Sequence, residues 1–348
     1  MGEKIPTENI EMEFDEKWEH PAKLEMKSRN EETGVEKVET LNVRDFSPEG
    51  EPERKPTIIG QAFTTNDLNY RDTLRLMSEH GRTIQVNAPH GTSIYDAEVK
   101  GERVSTELAK AAGYLAYADK EQIGKYHIVG QSLGGVAALL AASADRENVL
   151  SVTVMDAAGM MGQDSMLRQA GATIPFMAQE VILGLKNKWL GRNTGVTKPA
   201  PGSNPIDVIK SGPKKTWNEI KTLSVADASV MIKDLREMGI IVNIIHADKD
   251  QFFPLEKVGA IYGTDPDAKV KVDQFKVFTN EGVGRGSHNE LFTDPKNVVP
   301  LVEKVIAESE KLAENPEVQL RRQKVLEHNS EVVSAIVQGK RHVEEKSE

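Results

Sequence analysis

The 348-residue sequence contains no cysteine. This absence excludes disulfide bonds, thiolate-rich metal sites and a cysteine nucleophile. Aromatic residues are also scarce, at 5%, although the apolar fraction of 38% is large enough for a buried core. Chemistry that depends on a thiolate is therefore ruled out.

The sequence also lacks long apolar runs and basic stripes. No apolar stretch approaches the ~18 to 20 residues of a membrane span, and residues 1–17 lack the basic and apolar regions of a signal peptide. The formal net charge is -10, with Lys and Arg scattered between acidic neighbours, which argues against a nucleic-acid partner. We therefore expect a cytoplasmic protein with no membrane span and no nucleic-acid partner.

From Pro56 onwards, short apolar runs alternate with amphipathic helical patterns, which is typical of a largely parallel sheet. The predicted fold is α/β, a mostly parallel sheet flanked by helices, with a helical cap at 157–223 where no strand pattern is found. The predicted core is 56–156 and 224–313, preceded by a charged segment with two antiparallel edge strands (1–55) and followed by a charged helix or tail (314–348). Predicted core strands are 56–59, 83–86, 126–129, 149–155, 240–245 and 270–277, and predicted helices are 67–79, 101–118, 133–144, 225–238, 255–262 and 296–312.

A GxSxG motif, Gly130-Gln131-Ser132-Leu133-Gly134, lies where a predicted strand ends and a predicted helix begins. In that context the turn holds the serine in a strained conformation, and the residues two before and two after it must be small so that strand and helix approach closely. Glycine meets this requirement at both places. The motif predicts Ser132 as a nucleophile, and the alternative is a glycine-rich turn with an idle serine.

A serine nucleophile needs a histidine that takes its proton and a carboxylate that orients this histidine. His288 follows the last predicted core strand, in a loop whose glycines let the chain bend back towards Ser132. We therefore expect His288 to be the base.

Three carboxylates near strand ends are candidates for the acid. Asp250 is favoured because it gives the chain order Ser, Asp, His, and Asp156 and Asp248 are the alternatives. We expect no metal ion, because His246, Asp248 and Asp250 at alternate positions of a short loop form a weak ligand set.

These motifs together resemble the α/β-hydrolase superfamily over about residues 56–312. The resemblance includes the nucleophile turn, the Asp250 loop ending in Phe253-Pro254, the Ser287-His288 loop and residues 88–93. It implies a Ser-His-Asp triad and an oxyanion hole made by the Leu133 N–H and a second N–H from the first core loop. The His-Gly usual in that loop is replaced by Gly60-Gln-Ala-Phe63, so both Ala62 and Phe63 are candidates for the second donor.

The resemblance further implies that the insertion covers the nucleophile and forms an apolar substrate pocket. The predicted substrate-binding residues are Gln131, Met160, Phe176, Met177 and Phe252. The alternative for the apolar residues of the insertion is that they pack the cap itself.

The expected function is a carboxylesterase or lipase-like hydrolysis of a small apolar ester, without a cofactor, by a monomer or homodimer. One alternative keeps the triad but cleaves an amide, a peptide or a C–C bond. Another is a non-catalytic binding protein, which the altered oxyanion loop and the long charged ends would suit.

Overall fold

The structure, a computed structural model, describes residues 21–29, 36–63, 65–87, 105–162, 219, 226–279 and 288–324. Its strands are β1 (Ala22–Arg29), β2 (Glu36–Phe46), β3 (Thr57–Gly60), β4 (Thr83–Val86), β5 (Tyr126–Gln131), β6 (Val149–Met155), β7 (Ile241–Ala247), β8 (Tyr262–Gly263), β9 (Val270–Lys271) and β10 (Gln274–Phe278). Eight of these form one sheet in the order β1-β2-β4-β3-β5-β6-β7-β10. Within this sheet β2 is antiparallel to both its neighbours and the strands from β4 to β10 are parallel.

Helices connect the strands and cover both faces of the sheet. They are α1 (Arg71–Ser78), α2 (Ser105–Lys120), α3 (Leu133–Ala144), α4 (Ser229–Glu237), α5 (Leu255–Gly259), α6 (Glu290–Thr293) and α7 (Pro295–Ala313). A 3-10 turn, Asp67–Tyr70, precedes α1, and residues 316–324 are also helical. Within the described residues, no helix is both long enough and apolar enough to cross a lipid bilayer.

Successive residues of the central strands face two different hydrophobic clusters. Ile58 and Ile128 join the cluster under α2, α3 and α4, whereas Ile59 and Val129 join the cluster under α1 and α7. Side chains alternate between the faces of a strand, so strands that are buried on both faces read as continuous apolar runs. This is why the parallel strands were recognisable from short apolar segments.

The predicted fold class is confirmed, and several element bounds agree with the prediction. The strands Thr83–Val86 and Val149–Met155 and the helix Leu133–Ala144 begin and end where the sequence predicts. The two strands predicted in residues 1–55 correspond to β1 and β2, which pair antiparallel, but only β1 is at the edge because β2 also pairs with β4. Most of the predicted cap, residues 163–218 and 220–223, lies outside the described residues.

Two predicted elements near the end of the core are wrong. The strand over 270–277 is two strands, because Asp273 between them donates its N–H to Val242 O and accepts the Val242 N–H at Oδ2, each at 2.8 Å. The helix over 255–262 ends at Gly259, and Tyr262 instead pairs with Val270 in a separate two-stranded sheet. In both cases hydrogen bonds to residues outside the predicted element override the secondary structure that the local sequence pattern predicts.

The sheet is joined to α7 by a buried histidine on β5. His127 Nδ1 lies 2.7 Å from Ser151 Oγ, and its Nε2 lies 3.3 Å from Glu310 Oε1. His127 and Ser151 are fully buried, and burial lowers the pKa of His127 below its usual value. This polar link lies near the beginnings of β5 and β6, away from the carboxyl ends of the strands.

A buried ion pair connects α2 to Glu219. Lys110 Nζ lies 2.7 Å from Glu219 Oε1 and 3.3 Å from Glu107 Oε1, and all three side chains are at most 1% exposed. Burial disfavours the ammonium ion, yet the two glutamates raise the pKa of Lys110 above its usual value. Since a buried charge is tolerated only when it is paired, Glu219 and Lys110 hold each other in the core.

We expect Glu219→Gln to lower the free energy of unfolding by about 3 kcal/mol, because it leaves a buried ammonium with a single carboxylate. The control is Glu308→Gln, which removes a half-exposed ion pair with Lys276 and should change stability by less than about 1 kcal/mol. Urea unfolding of both variants measures the difference. Equal losses would contradict the buried role of Glu219.

Candidate active site

Ser132 lies in the tight turn between β5 and α3 and has a strained backbone. Its φ of 52° and ψ of -123° are unusual for a residue other than glycine. Main-chain hydrogen bonds hold this conformation: the Ser132 N–H donates to Met155 O at 2.9 Å, and Ser132 O accepts from Ala158 N at 3.0 Å and Gly135 N at 3.1 Å. The turn is therefore fixed by the neighbouring strand and by the chain that follows it.

The glycines on both sides of Ser132 allow strand, helix and first core loop to meet. A Cβ at Gly130 would lie 2.4 Å from Gly134 O, and a Cβ at Gly134 would lie 2.5 Å from Gln61 O. Both distances are too short for real atoms, and the opposing atoms are backbone. The packing therefore leaves no room for a side chain at either position, which is the reason for glycine that the sequence analysis gives.

The structure brings Ser132, His288 and Asp250 into one hydrogen-bonded row. His288 Nε2 lies 2.8 Å from Ser132 Oγ, and His288 Nδ1 lies 2.8 Å from Asp250 Oδ2. The three residues are 4–6% exposed, so the row is shielded from bulk water while it still borders the surface. Of the three carboxylates predicted as candidates, Asp250 is the one that contacts His288. Asp248 lies in the same loop and donates its N–H to Phe278 O.

The loop after β7 holds the Asp250 carboxylate in place. Asp250 Oδ1 accepts the N–H groups of Phe252 at 2.7 Å and Phe253 at 3.2 Å, which leaves Oδ2 for His288. His246 Nε2 donates to Phe253 O at 2.7 Å and so ties the same loop to β7. The Phe252 and Phe253 rings also contact the His288 ring, with centroids 5.1 and 5.4 Å away.

A second buried carboxyl group, Asp156, lies beside this row. Its Oδ1 accepts the Ala247 N–H at 2.7 Å and lies 3.2 Å from His246 Nδ1. Burial, followed by the nearby charge of Asp250, raises the pKa of Asp156 well above its usual value, whereas burial lowers that of His246. These directions favour a neutral Asp156 and a neutral His246.

Asp156, His246 and Asp250 also form a cluster whose possible ligand atoms lie within 4.8 Å of one another. Both Asp250 oxygens already accept hydrogen bonds, and His246 Nε2 already donates one. A metal ion held by all three residues would compete with the Asp250–His288 hydrogen bond. The donor set therefore fits a hydrogen-bonded cluster better than a metal site.

The first core loop, Gly60–Phe63, is held by buried polar side chains that the sequence analysis did not identify. Gln61 Nε2 donates to Asn87 Oδ1 at 2.8 Å, Asn87 Nδ2 donates to Asp67 Oδ1 at 3.0 Å, and Arg44 Nε donates to Asp67 Oδ2 at 2.7 Å. This network anchors the Gln61 side chain in place of the usual His-Gly.

The two predicted oxyanion donors of this loop differ in their hydrogen bonding. The Ala62 N–H donates to the Tyr70 hydroxyl at 3.0 Å. Within the described residues, neither the Phe63 N–H nor the Leu133 N–H has a hydrogen-bond partner. The Leu133 N–H begins α3, where such groups and the helix dipole favour negative charge.

Comparison with solved structures shows which fold carries this site. The structure resembles an esterase from Thermogutta terrifontis (TM-score 0.56, 13% identity, 83% of this chain and 99% of that chain), a bromoperoxidase from Bacillus anthracis (0.53, 15%, 82% and 100%) and an enol-lactonase from Burkholderia xenovorans LB400 (0.50, 10%, 79% and 97%). The chain has the α/β-hydrolase fold. No protein-family model and no curated protein matches the sequence.

In this α/β-hydrolase fold, Ser132 and Asp250 follow the carboxyl ends of the parallel strands β5 and β7, and His288 lies beside them. The three proteins are named for different reactions, so the likeness shows the fold and does not show the reaction of this chain. The functional argument therefore depends on Ser132 and its neighbours.

The remaining predicted site residues occupy different environments. Gln131 is fully buried, and Met160 is 1% exposed within the core cluster of the α/β-hydrolase fold. Phe252 is half-buried beside His288. Phe176 and Met177 lie outside the described residues.

The raised pKa of Asp156 predicts a specific pH dependence of stability. Between the unfolded pKa near 3.8 and the higher folded pKa, the folded chain keeps a proton that the unfolded chain releases. The stability that this proton contributes is therefore lost as the pH rises through the folded pKa. Relative to Asp156→Asn, which carries no titrating proton, the wild type should lose stability towards alkaline pH.

Urea unfolding from about pH 5 to about pH 9 measures this difference. The control is Asp267→Asn, which changes an exposed carboxyl group. The plot of its free energy of unfolding against pH should be parallel to that of the wild type. A parallel curve for Asp156→Asn as well would show that Asp156 is ionised throughout.

Proposed function

We propose that this protein is a serine hydrolase that cleaves a small apolar carboxylic ester through an acyl-enzyme. The observation that supports this most strongly is the buried row Ser132–His288–Asp250, with both hydrogen bonds at 2.8 Å. A neutral serine hydroxyl is a weak nucleophile, and this arrangement is the one that activates it. The proposal requires no cofactor.

In the acylation step, Ser132 Oγ attacks the ester carbonyl carbon while its proton passes to His288 Nε2. Asp250 Oδ2 accepts the Nδ1–H, which keeps the Nε2 lone pair directed at Ser132 and stabilises the imidazolium that forms. Because Phe252 and Phe253 N–H groups fix Oδ1, the carboxylate has little freedom to rotate. The collapse of the tetrahedral intermediate expels the alcohol, which takes the proton from Nε2.

In the deacylation step, water replaces the alcohol. His288 Nε2 takes a proton from the water, the resulting hydroxide attacks the acyl carbon, and the proton returns to Ser132 Oγ as the carboxylic acid leaves. Each step places negative charge on the former carbonyl oxygen. Donors that are already aimed at this oxygen stabilise it without reorganisation.

We assign the Leu133 and Phe63 N–H groups to this oxyanion hole. Both are without a partner in the described residues, whereas the Ala62 N–H is bonded to Tyr70. Gly134 lies against the carbonyls of Gly60 and Gln61, which places the loop next to the beginning of α3. Each such donor typically contributes ~10²- to 10³-fold to the rate.

An ester is the favoured substrate class because the alcohol that it releases is a better leaving group than the amine of an amide. The aromatic rings of Phe252 and Phe253 beside His288 give the described side of the site an apolar character. The structural likeness to the esterase is compatible with this choice.

A fluorophosphonate probe and a panel of nitrophenyl esters test the proposal. We expect covalent labelling at Ser132 and ester turnover, and Ser132→Ala should abolish labelling and lower kcat/KM by ~10⁴-fold or more. Asp250→Asn should lower kcat/KM by a comparable factor, because the amide orients the wrong tautomer of His288. A wild type that is unlabelled and no more active than Ser132→Ala would refute it, and turnover of aminoacyl amides alone would change the substrate class.

Amide resonances measured before and after phosphonylation of Ser132 test the oxyanion assignment. The phosphonyl oxygen mimics the tetrahedral oxyanion, so the Leu133 and Phe63 amide protons should move downfield. The Ala62 amide is the internal control and should move much less because it stays bonded to Tyr70. A large shift at Ala62 with none at Phe63 would reverse the assignment.

A further inference from the structure

A continuous row of hydrogen bonds connects the first core loop to the histidine loop through the nucleophile turn. The Ala62 N–H donates to Tyr70 Oη at 3.0 Å, Tyr70 Oη donates to Gln131 Oε1 at 3.2 Å, and Gln131 Nε2 donates to His288 O at 2.7 Å. Tyr70 and Gln131 are fully buried. The row therefore operates without competition from water.

The chemistry of the two ends fixes the direction of every bond in this row. The Ala62 N–H is only a donor, so the Tyr70 hydroxyl accepts it and its own proton is available for Gln131. At the other end, His288 O is only an acceptor and must face the NH₂ of Gln131. Burial also raises the pKa of Tyr70 above its usual value, which keeps the hydroxyl neutral. Each group thus has one consistent role.

Other contacts of the same region hold the chain that follows His288. The rings of Tyr70 and Phe292 pack edge to face with centroids 5.4 Å apart, and Thr73 Oγ1 donates to Leu291 O. The main chain of His288 is thus held by Gln131, and the residues after it are held by Tyr70 and Thr73. The position of the imidazole depends on this main chain as well as on Asp250.

We propose that Tyr70 and Gln131 are positioning residues that hold the His288 main chain so that Nε2 stays within reach of Ser132. This rests on the proposed function only for its effect on turnover. Neither side chain touches the reacting atoms. The residue before the nucleophile, predicted to bind substrate, is assigned here to the support of the base.

Two conservative variants break the row at different places: Tyr70→Phe removes the bonds to the Ala62 N–H and to Gln131 Oε1, and Gln131→Glu changes the bond to His288 O. Tyr70→Phe keeps the ring and its contact with Phe292 but loses the hydroxyl, and Gln131→Glu keeps the acceptor for Tyr70 but, as the carboxylate, has no proton to donate to His288 O. We expect each to lower kcat for nitrophenyl esters by ~10- to 100-fold with little change in KM, because a small displacement of a catalytic group is costly. In the double variant the losses should be far from additive, since both act through the same row.

The matched control is Tyr114→Phe. Tyr114 is equally buried, and its hydroxyl accepts the N–H of Gln61 at 3.4 Å, but it makes no bond to Gln131 or His288. We expect kcat within about twofold of wild type for this variant. A similar loss in Tyr114→Phe would indicate general loosening of the loop and would overturn the proposal.

A spectroscopic measurement separates this proposal from the proposed function. The downfield proton resonance of the His288 Nδ1–H, which reports its bond to Asp250, should shift or broaden in Tyr70→Phe and Gln131→Glu and remain unchanged in Tyr114→Phe. Wild-type kcat and an unchanged resonance in the first two variants would overturn the positioning role. A changed resonance in a protein with no turnover and no labelling at Ser132 would support the positioning role and refute the hydrolase.

Discussion

The turn at Ser132 combines a positive φ with very close packing, and most of the site depends on how the chain maintains it. A non-glycine residue in such a conformation costs of order 1–3 kcal/mol and persists only when its surroundings fix it. Here the fixing contacts come from Met155 on β6 and from Ala158 after it. The same constraint requires glycine at positions 130 and 134 and brings the first core loop against α3. The nucleophile turn and the candidate oxyanion hole are thus set by one piece of backbone packing.

The number of charged side chains in the buried site is also limited. Asp156, His246 and Asp250 lie close together, and two ionised carboxylates at this distance in a dry environment would repel strongly. Burial and the charge of Asp250 raise the pKa of Asp156, which leaves Asp250 as the charged member. Its two oxygens then face backbone N–H groups and His288. The environment thus gives two neighbouring acids different roles.

Much of this site could be predicted from the sequence because its signals are local. Strands buried on both faces are short apolar runs, and Ser132 carries its own motif. His288 and Asp250 could be chosen because chain order and strand ends restrict the candidates. The division of 270–277 into two strands could not, since it depends on the pairing of Asp273 with Val242. Tyr70, Asn87 and Arg44 were also missed, because their roles arise from contacts with residues far away in sequence.

The link between Ser151, His127 and Glu310 offers an internal comparison with the candidate active site. It too joins a hydroxyl, an imidazole and a carboxylate in order. Ser151, however, lies within β6 and has no exposed surface, and the His127 imidazole joins this strand to α7. Two similar rows of atoms in one molecule thus serve different ends. The difference between the two serines is the turn with positive φ, which holds Ser132 beyond the end of its strand, whereas Ser151 stays within the sheet.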